Sequence, residues 1–322
     1  MAKYPFDEKF NTTVQNLPDY DGDGWYYLIN LMKSTEDPIC EVLTKEGYSP
    51  DAVAEYLNAL NDQPFSELIE LALMDDPETS PALLVLQKST ARDVFDGAVV
   101  LCNSTIPKER KVGVLILMRT PGRTFLDEAS AVVTKLAATE TENSVMEALA
   151  YALCHLDVEN RSAFLQLVAA SPDPSTRSAA AYSLGRLGDE IAIAAKIALS
   201  KDSDDDVRNW AIFGLHLGLE DEQCHRQDVR DALYDRISDP YDETRYEAIA
   251  GLARCKDSRV LEPLIEALGS QNVRVLAIEA SRDMGEPSLY PSLIALREWW
   301  HASSRPDLLD EAIAACTPLP EQ

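Results

Sequence analysis

Asp173-Pro174-Ser175-Thr176-Arg177-Ser178-Ala179-Ala180-Ala181-Tyr182-Ser183-Leu184-Gly185-Arg186-Leu187-Gly188-Asp189 is the stretch on which the reading of this chain turns. Its apolar residues Ala180, Leu184 and Leu187 recur at helical spacing, behind an Asp/Ser/Thr-rich start that supplies N-caps and ahead of a terminating glycine. The same pattern returns downstream. Arg208 is followed by Ala211 and Leu215, Arg245 by Ala248 and Leu252, and Arg274 by Ala277, with Ser281 in the leucine place. Weaker copies lie upstream, where Arg110 precedes Gly113 and Leu117, and Val145 takes the arginine position before Ala148. The anchors 110, 145, 177, 208, 245 and 274 are spaced 35, 32, 31, 37 and 29 residues apart. A period that wanders around one value by loop-sized amounts is expected of an array of helical hairpins.

A second, shorter helix follows each first one. Leu261-Glu262-Pro263-Leu264-Ile265-Glu266-Ala267-Leu268-Gly269 has 3–4 apolar spacing, proline in its first turn and glycine at its end. Residues 191–199, 229–237 and 289–300 occupy equivalent places. A small alanine column lets neighbouring helices approach, and a leucine column fills the seam between them. No single hairpin can bury both faces, so the repeats must stack.

The block Thr176-Arg177-x-x-Ala180-Ala181-x-x-Leu184-Gly185-x-Leu187-Gly188-Asp189 resembles the short HEAT-type repeat of phycobilisome lyases and of many bacterial scaffold proteins. The resemblance covers roughly residues 105–300 and implies an all-α fold, an α-solenoid of stacked antiparallel helix pairs. It also implies that the second helices line the concave surface. Of function it implies little, because such repeats serve unrelated proteins. The expected organisation is an N-terminal helical cap over 1–49, divergent helical repeats over 50–104, HEAT-like repeats over 105–304, and a capping helix with a tail over 305–322. Within the divergent part, residues 50–60, 64–73, 81–88 and 91–102 read as helices.

Charge narrows the partners. The chain of 322 residues carries 29 basic and 55 acidic residues, a net −26 that repels nucleic acid and anionic membranes and attracts basic proteins. The acidity sits at the ends: residues 1–80 hold 4 basic against 17 acidic, 81–200 hold 12 against 13, and 201–322 hold 13 against 25. No apolar run is long enough to span a membrane, and the first residues lack a signal-peptide core, so a cytoplasmic location is expected. The six cysteines, Cys40, Cys102, Cys154, Cys224, Cys255 and Cys316, show no Cys-x-x-Cys and read as small buried apolar residues rather than a disulfide framework or zinc site.

Catalysis is not expected. There is no nucleophile elbow, phosphate-cradling glycine loop or dinucleotide fingerprint, and His155, His216, His225 and His301 form no metal-binding spacing, even with Cys224 beside His225. Asp19, Asp21 and Asp23 with Gly24 follow the start of a calcium loop. Asn30 stands where the bidentate glutamate belongs, and Pro18 interrupts the entering helix, so the segment reads as an acidic helix-capping turn. The expectation is no cofactor and no metal.

The periodic Arg177, Arg208, Arg245 and Arg274 read as ion pairs that lock the stack rather than as a binding ladder. The second helices offer a better binding face. Aligning Leu233 with Leu264 places Asp231 over Glu262 and Asp235 over Glu266, a four-carboxylate patch with one helical turn between the two members on each helix. Leu289, Leu293, Leu296 and Trp300 share one helical face, which turns Trp299 away from it, as a possible contact anchor or packing against the C-terminal helix.

The resulting expectation is a non-enzymatic protein-binding solenoid, monomeric on its own, whose acidic face holds a basic protein partner. One specific form is an immunity protein that neutralises a nuclease-like toxin. The alternatives are a phycobilin-lyase-like enzyme, for which Trp210, Phe213 and Tyr246 would line a chromophore pocket, and a scaffold joining several partners.

Overall fold

The computed structural model describes residues 59–60, 62–74, 80–119, 124–156, 158–218, 224–300 and 307–318. Every regular element in them is helical, with sixteen α-helices and two short 3-10 turns. The calcium-loop aspartates Asp19, Asp21 and Asp23 lie outside the described residues.

Two compact units divide the chain, Met1–Glu159 and Asn160–Gln322. In the first, α1 (Phe65–Met74), α2 (Pro81–Lys88), α3 (Arg92–Cys102), α4 (Pro107–Leu117), α5 (Leu126–Ala137) and α6 (Asn143–Ala152) form two layers. The series α2, α4, α6 stacks in one layer and α1, α3, α5 in the other. In the second unit, α8 (Pro174–Leu184), α10 (Asp205–Leu217), α12 (Asp242–Arg254), α14 (Val275–Met284) and α16 (Leu308–Cys316) stack in succession as the first-helix layer. The second-helix layer comprises α7 (Arg161–Val168), α9 (Glu190–Leu199), α11 (Gln227–Tyr234), α13 (Leu261–Leu268) and α15 (Tyr290–Leu296). This is the helix-pair solenoid anticipated from the periodicity.

Local chemistry sets the helix starts. Asp173 caps α8 by accepting from the Thr176 N–H at 2.9 Å and its hydroxyl at 2.7 Å, with Pro174 in the first turn. These Thr176 hydrogen bonds, aided by the Arg177 charge, hold the Asp173 carboxyl below the usual range. Asp189 caps α9 and Asp204 caps α10 in the same manner, each accepting two backbone N–H groups. At the other end, Gly285 adopts φ 64° after α14, a left-handed stop that suits glycine.

The columns expected from the pattern form the core. Ala180, Ala211, Ala248 and Ala277 are fully buried, as are Leu184, Leu215 and Leu252, and Ser281 is buried in the fourth place. Ser281 can occupy a leucine site because its hydroxyl donates to the Ala277 carbonyl at 2.8 Å.

The arginines close the stack. Arg110 donates from Nε and Nη2 to Glu140 at 2.7 and 3.0 Å, Arg177 to Asp202 at 2.7 and 2.8 Å, and Arg208 to Asp239 at 2.9 and 3.0 Å. Each carboxylate lies in the loop before a first helix and also accepts a backbone N–H two residues on: Glu142, Asp204 and Tyr241 respectively. Burial opposes ionisation of Asp202 and Asp239, yet their arginines and backbone donors hold both carboxyls below the usual range. The remaining nitrogen, Nη1, donates to a backbone carbonyl six residues upstream: Ser104, Ser171, Asp202, and, for Arg245, Asp239. Thus each rung ties three segments together, as the lock reading requires.

Two features depart from the sequence reading. Cys224 and Cys255 form a disulfide, with their Cα atoms 4.9 Å apart, which corrects the expectation of cysteines acting only as apolar filler. The cause is the hairpin itself: Cys224 leads into α11, Cys255 ends α12, and antiparallel packing brings those ends together. The second is Lys196, only 2% exposed, at the second-helix position where Leu233 and Leu264 stand in later repeats. Its Nζ donates to the carbonyls of Leu187 at 3.0 Å, Gly214 at 3.1 Å and Gly185 at 3.5 Å. A Cβ at Gly214 would lie 2.7 Å from the Gly185 Cα and 3.1 Å from the Lys196 Cδ, so that glycine lets the end of α8 and α10 approach beside the aliphatic stem. Burial pulls the Lys196 amine down to about 8, against the opposing charge of Asp189.

Candidate functional site: the outer face of α11 and α13

The inward residues fix which way these helices face. Val229 and Leu233 of α11 are buried, and so are Val260, Leu264 and Leu268 in and before α13, at the same offset of 31 residues. Asp231 and Asp235 therefore turn outward from α11, as Glu262 and Glu266 do from α13, and all four are exposed.

Two apolar side chains stand among them. Tyr234 is 41% exposed and Ile265, at the same offset, is 38% exposed. The face is therefore amphipathic, with carboxylates bracketing an aromatic ring on one helix and an aliphatic chain on the next. The sequence reading named the acids and passed over this pair, although the offset that aligned Leu233 with Leu264 also aligns Tyr234 with Ile265.

The four acids are not equivalent. Asp231 accepts from Arg259 Nη1 at 2.7 Å and from Gln227 at 2.7 Å. Those hydrogen bonds, Arg259 first, keep its carboxyl below the usual range. Arg259 is itself clamped by Asp257 and lies 4.6 Å from the centre of the Tyr234 ring. It thus joins the start of α13 to α11 and holds Tyr234 in place. Among the described residues, no cation pairs with Asp235, Glu262 or Glu266.

Trp299 is 49% exposed, just beyond α15, while Leu289, Leu293 and Leu296 are buried and Trp300 donates from Nε1 to the Val273 carbonyl at 3.4 Å. Leu289, Leu293 and Leu296 share the buried face, but α15 ends at Leu296, so Trp299 and Trp300 lie in the segment beyond it, Trp299 half-exposed and Trp300 partly buried. Trp299 sits at the end of the second-helix layer that also carries α11 and α13.

The aromatic residues considered for a chromophore pocket belong to the first-helix layer. Tyr182, Trp210 and Phe213 pack edge to face, with ring centres 4.8 and 5.6 Å apart. The guanidinium groups of Arg245 and Arg274 each lie 5.7 Å from the Tyr246 ring centre. His216 Nδ1 lies 2.7 Å from Glu247, and Cys224 is bonded to Cys255, so the notional cluster has no thiolate to offer. Among the described residues, no helix is long and apolar enough to cross a membrane.

These two-layered stacks of short helix pairs, stapled by periodic arginines, define a helical-repeat protein. HEAT repeats match residues 126–216 and 230–316, more than half of the chain, and the chain belongs to the HEAT repeat family. It is 35% identical over 128 residues to protein YibA of Escherichia coli strain K12, a match spanning 40% of this chain and 44% of YibA. The chain thus matches less than half the length of that relative in sequence. The X-ray structure of Escherichia coli YibA superposes with a TM-score of 0.66 and 23% identity, covering 82% of this chain and 96% of that one, and so supports the fold. The complex of CpcE and CpcF of phycocyanin lyase from Nostoc gives 0.44 and 15% identity over 69% of this chain and 94% of that one, too distant to carry the lyase alternative.

Proposed function

We propose that this chain is a non-enzymatic binding module whose α11–α13 face holds a basic segment of another protein. The observation that carries the reading is the pairing of solvent-facing Asp235, Glu262 and Glu266 with exposed Tyr234 and Ile265 on adjoining repeats. Carboxylates without a protein cation are cheap to desolvate only when a partner brings the countercharge. The neighbouring apolar side chains supply area whose burial favours a specific complex over a diffuse encounter. A net charge of −26 would speed the approach of a basic partner. Trp299 extends the contact toward the end of the layer. A more specific form is an inhibitor that masks the basic cleft of a nuclease-like toxin, acting in the cytoplasm as a monomer.

The test is capture from a lysate followed by washes of rising ionic strength. A retained protein that is basic and released by salt supports the reading. One that is acidic, or whose retention ignores salt, overturns it.

A further inference from the structure

The arginine ladder has a rung that no described residue closes. Arg110, Arg177 and Arg208 each spend the Nε–Nη2 edge of the guanidinium on a carboxylate of the following repeat. Arg245 repeats the rest of the arrangement. Its Nη1 donates to the Asp239 carbonyl at 2.7 Å, and its Nη2 donates to Asp242 three residues back, just as Arg208 donates to Asp205. What it lacks is the carboxylate: among the described residues, nothing accepts from its Nε.

The register shows why. Lys196, Leu233 and Leu264 are equivalent in the second helices, and the closing residues Asp202 and Asp239 stand six positions beyond the first two. Six positions beyond Leu264 is Ser270, whose hydroxyl is buried without a hydrogen-bond partner. Counted from the second helix the acid's place falls to Ser270; counted two residues back from the cap, as Asp202 precedes Asp204 and Asp239 precedes Tyr241, it falls to Asn272, and neither residue is an acid. In the one repeat where the anchor is not arginine but Val145, the following closing position is also a serine, Ser171, so the serine elsewhere accompanies the absence of the arginine. At Arg245 the cation has been kept and its acid has not. A second guanidinium, that of Arg274, lies 5.7 Å from the centre of the Tyr246 ring and pairs with Glu243 at 3.4 Å and, at 3.8 Å, with the Asp242 carboxylate it shares with Arg245.

We propose that Arg245, with Arg274 and the Ser270 hydroxyl, is a binding site for a carboxylate supplied from outside the chain, an aspartate or glutamate side chain or a chain terminus of a partner. The ligand would take the place that Asp239 takes on Arg208, with both oxygens on the Nε–Nη2 edge and room for the Ser270 hydroxyl to donate. A planar bidentate pair of this kind discriminates a carboxylate from an amide, because the amide offers one acceptor and a clashing donor. The site lies apart from the α11–α13 acids and does not rest on their role.

The test observes the Arg245 Nε–H resonance of the full chain, assigned by its loss in Arg245→Lys. Three peptides are titrated: N-acetyl-Ala-Glu-Ala-amide, its glutamine counterpart, and N-acetyl-Ala-Ala-Ala with a free carboxyl end. A saturable shift with the first peptide assigns a side-chain carboxylate, and one with the third assigns a terminus. The glutamine peptide should be weaker by about tenfold or more, the worth of a charge-assisted bidentate contact. Ser270→Asp, which closes the rung from within, should abolish the shift, whereas Ser270→Ala, which adds no charge, should leave most of it. No saturable shift with either carboxylate, equal response to the glutamine peptide, or undiminished binding in Ser270→Asp overturns the proposal.

Discussion

Two sets of carboxylates in the second unit differ in how they spend their charge. Asp202 and Asp239 are enclosed, each gripped by an arginine from the preceding repeat and by a backbone N–H of their own loop. Asp235, Glu262 and Glu266 stand exposed, beside exposed apolar side chains, with no cation attached among the described residues. Net charge alone cannot separate the sets. Burial and partner geometry can: enclosed acids hold repeats together, and open ones are available to another molecule. Asp231 lies between, open to solvent yet shared with Arg259.

Substitutions should make that division measurable. The largest expected loss follows Asp239→Ala. The Arg208 and Asp239 side chains are only 7% and 0% exposed, so truncating the acid strands a buried guanidinium. That should lower stability by roughly 3–5 kcal/mol in chemical denaturation, offset in part by Asp205. A loss below about 1 kcal/mol would show the ladder to be ornamental.

Acid should reveal the same set. Because Asp202 and Asp239 have folded-state pKa values below their unfolded ones, their contribution is fully present above the unfolded value near 4. It should fade as pH falls through the folded values. Asp239→Asn should flatten that acid limb of the stability profile.

Lys196 sharpens the contrast as an enclosed cation held by carbonyls instead of a carboxylate. Its folded pKa, about 8, lies below the ordinary lysine value near 10.5, so between those two the unfolded chain binds more protons. Stability should therefore rise with pH across that window, by roughly 3 kcal/mol relative to Lys196→Leu, in which the rise is absent. Parallel pH profiles for the two proteins would contradict the assignment.

The smallest stability effects belong to the open groups. Arg245→Ala should cost less than about 1 kcal/mol, in keeping with a partly exposed guanidinium whose carboxylate partner, Asp242, is itself half-exposed. The triple change Asp235→Asn, Glu262→Gln, Glu266→Gln should shift stability by no more than about 0.5 kcal/mol.

The sequence disclosed as much of this as its periodicity could carry. Alanine and leucine columns recur because each helix pair meets the next in one way, so Ala180 and Leu184 announced both the helices and their stacking. The locking role of Arg177 and Arg208 followed from the same interval. Cys224 and Cys255 were missed because neither belongs to a recurring column, although their separation of 31 residues is itself about one repeat. Arg259 was missed for a similar reason: it precedes α13, outside the anchor positions, and its hold on Asp231 depends on how adjacent second helices meet. Exposure of Tyr234 and Ile265 was within reach once the alignment was made, since it places them on the same face as the acids.

The most direct test of the division is binding of a cationic probe to that face. A synthetic helical peptide with lysine on one face and leucine on the other can be titrated calorimetrically into the wild-type chain and the triple variant, at low and at physiological salt. The account predicts saturable binding to the wild type that weakens with salt and falls about tenfold or more in the triple variant, while Asp239→Asn binds as the wild type does. Equal affinity for the wild type and the triple variant would contradict it.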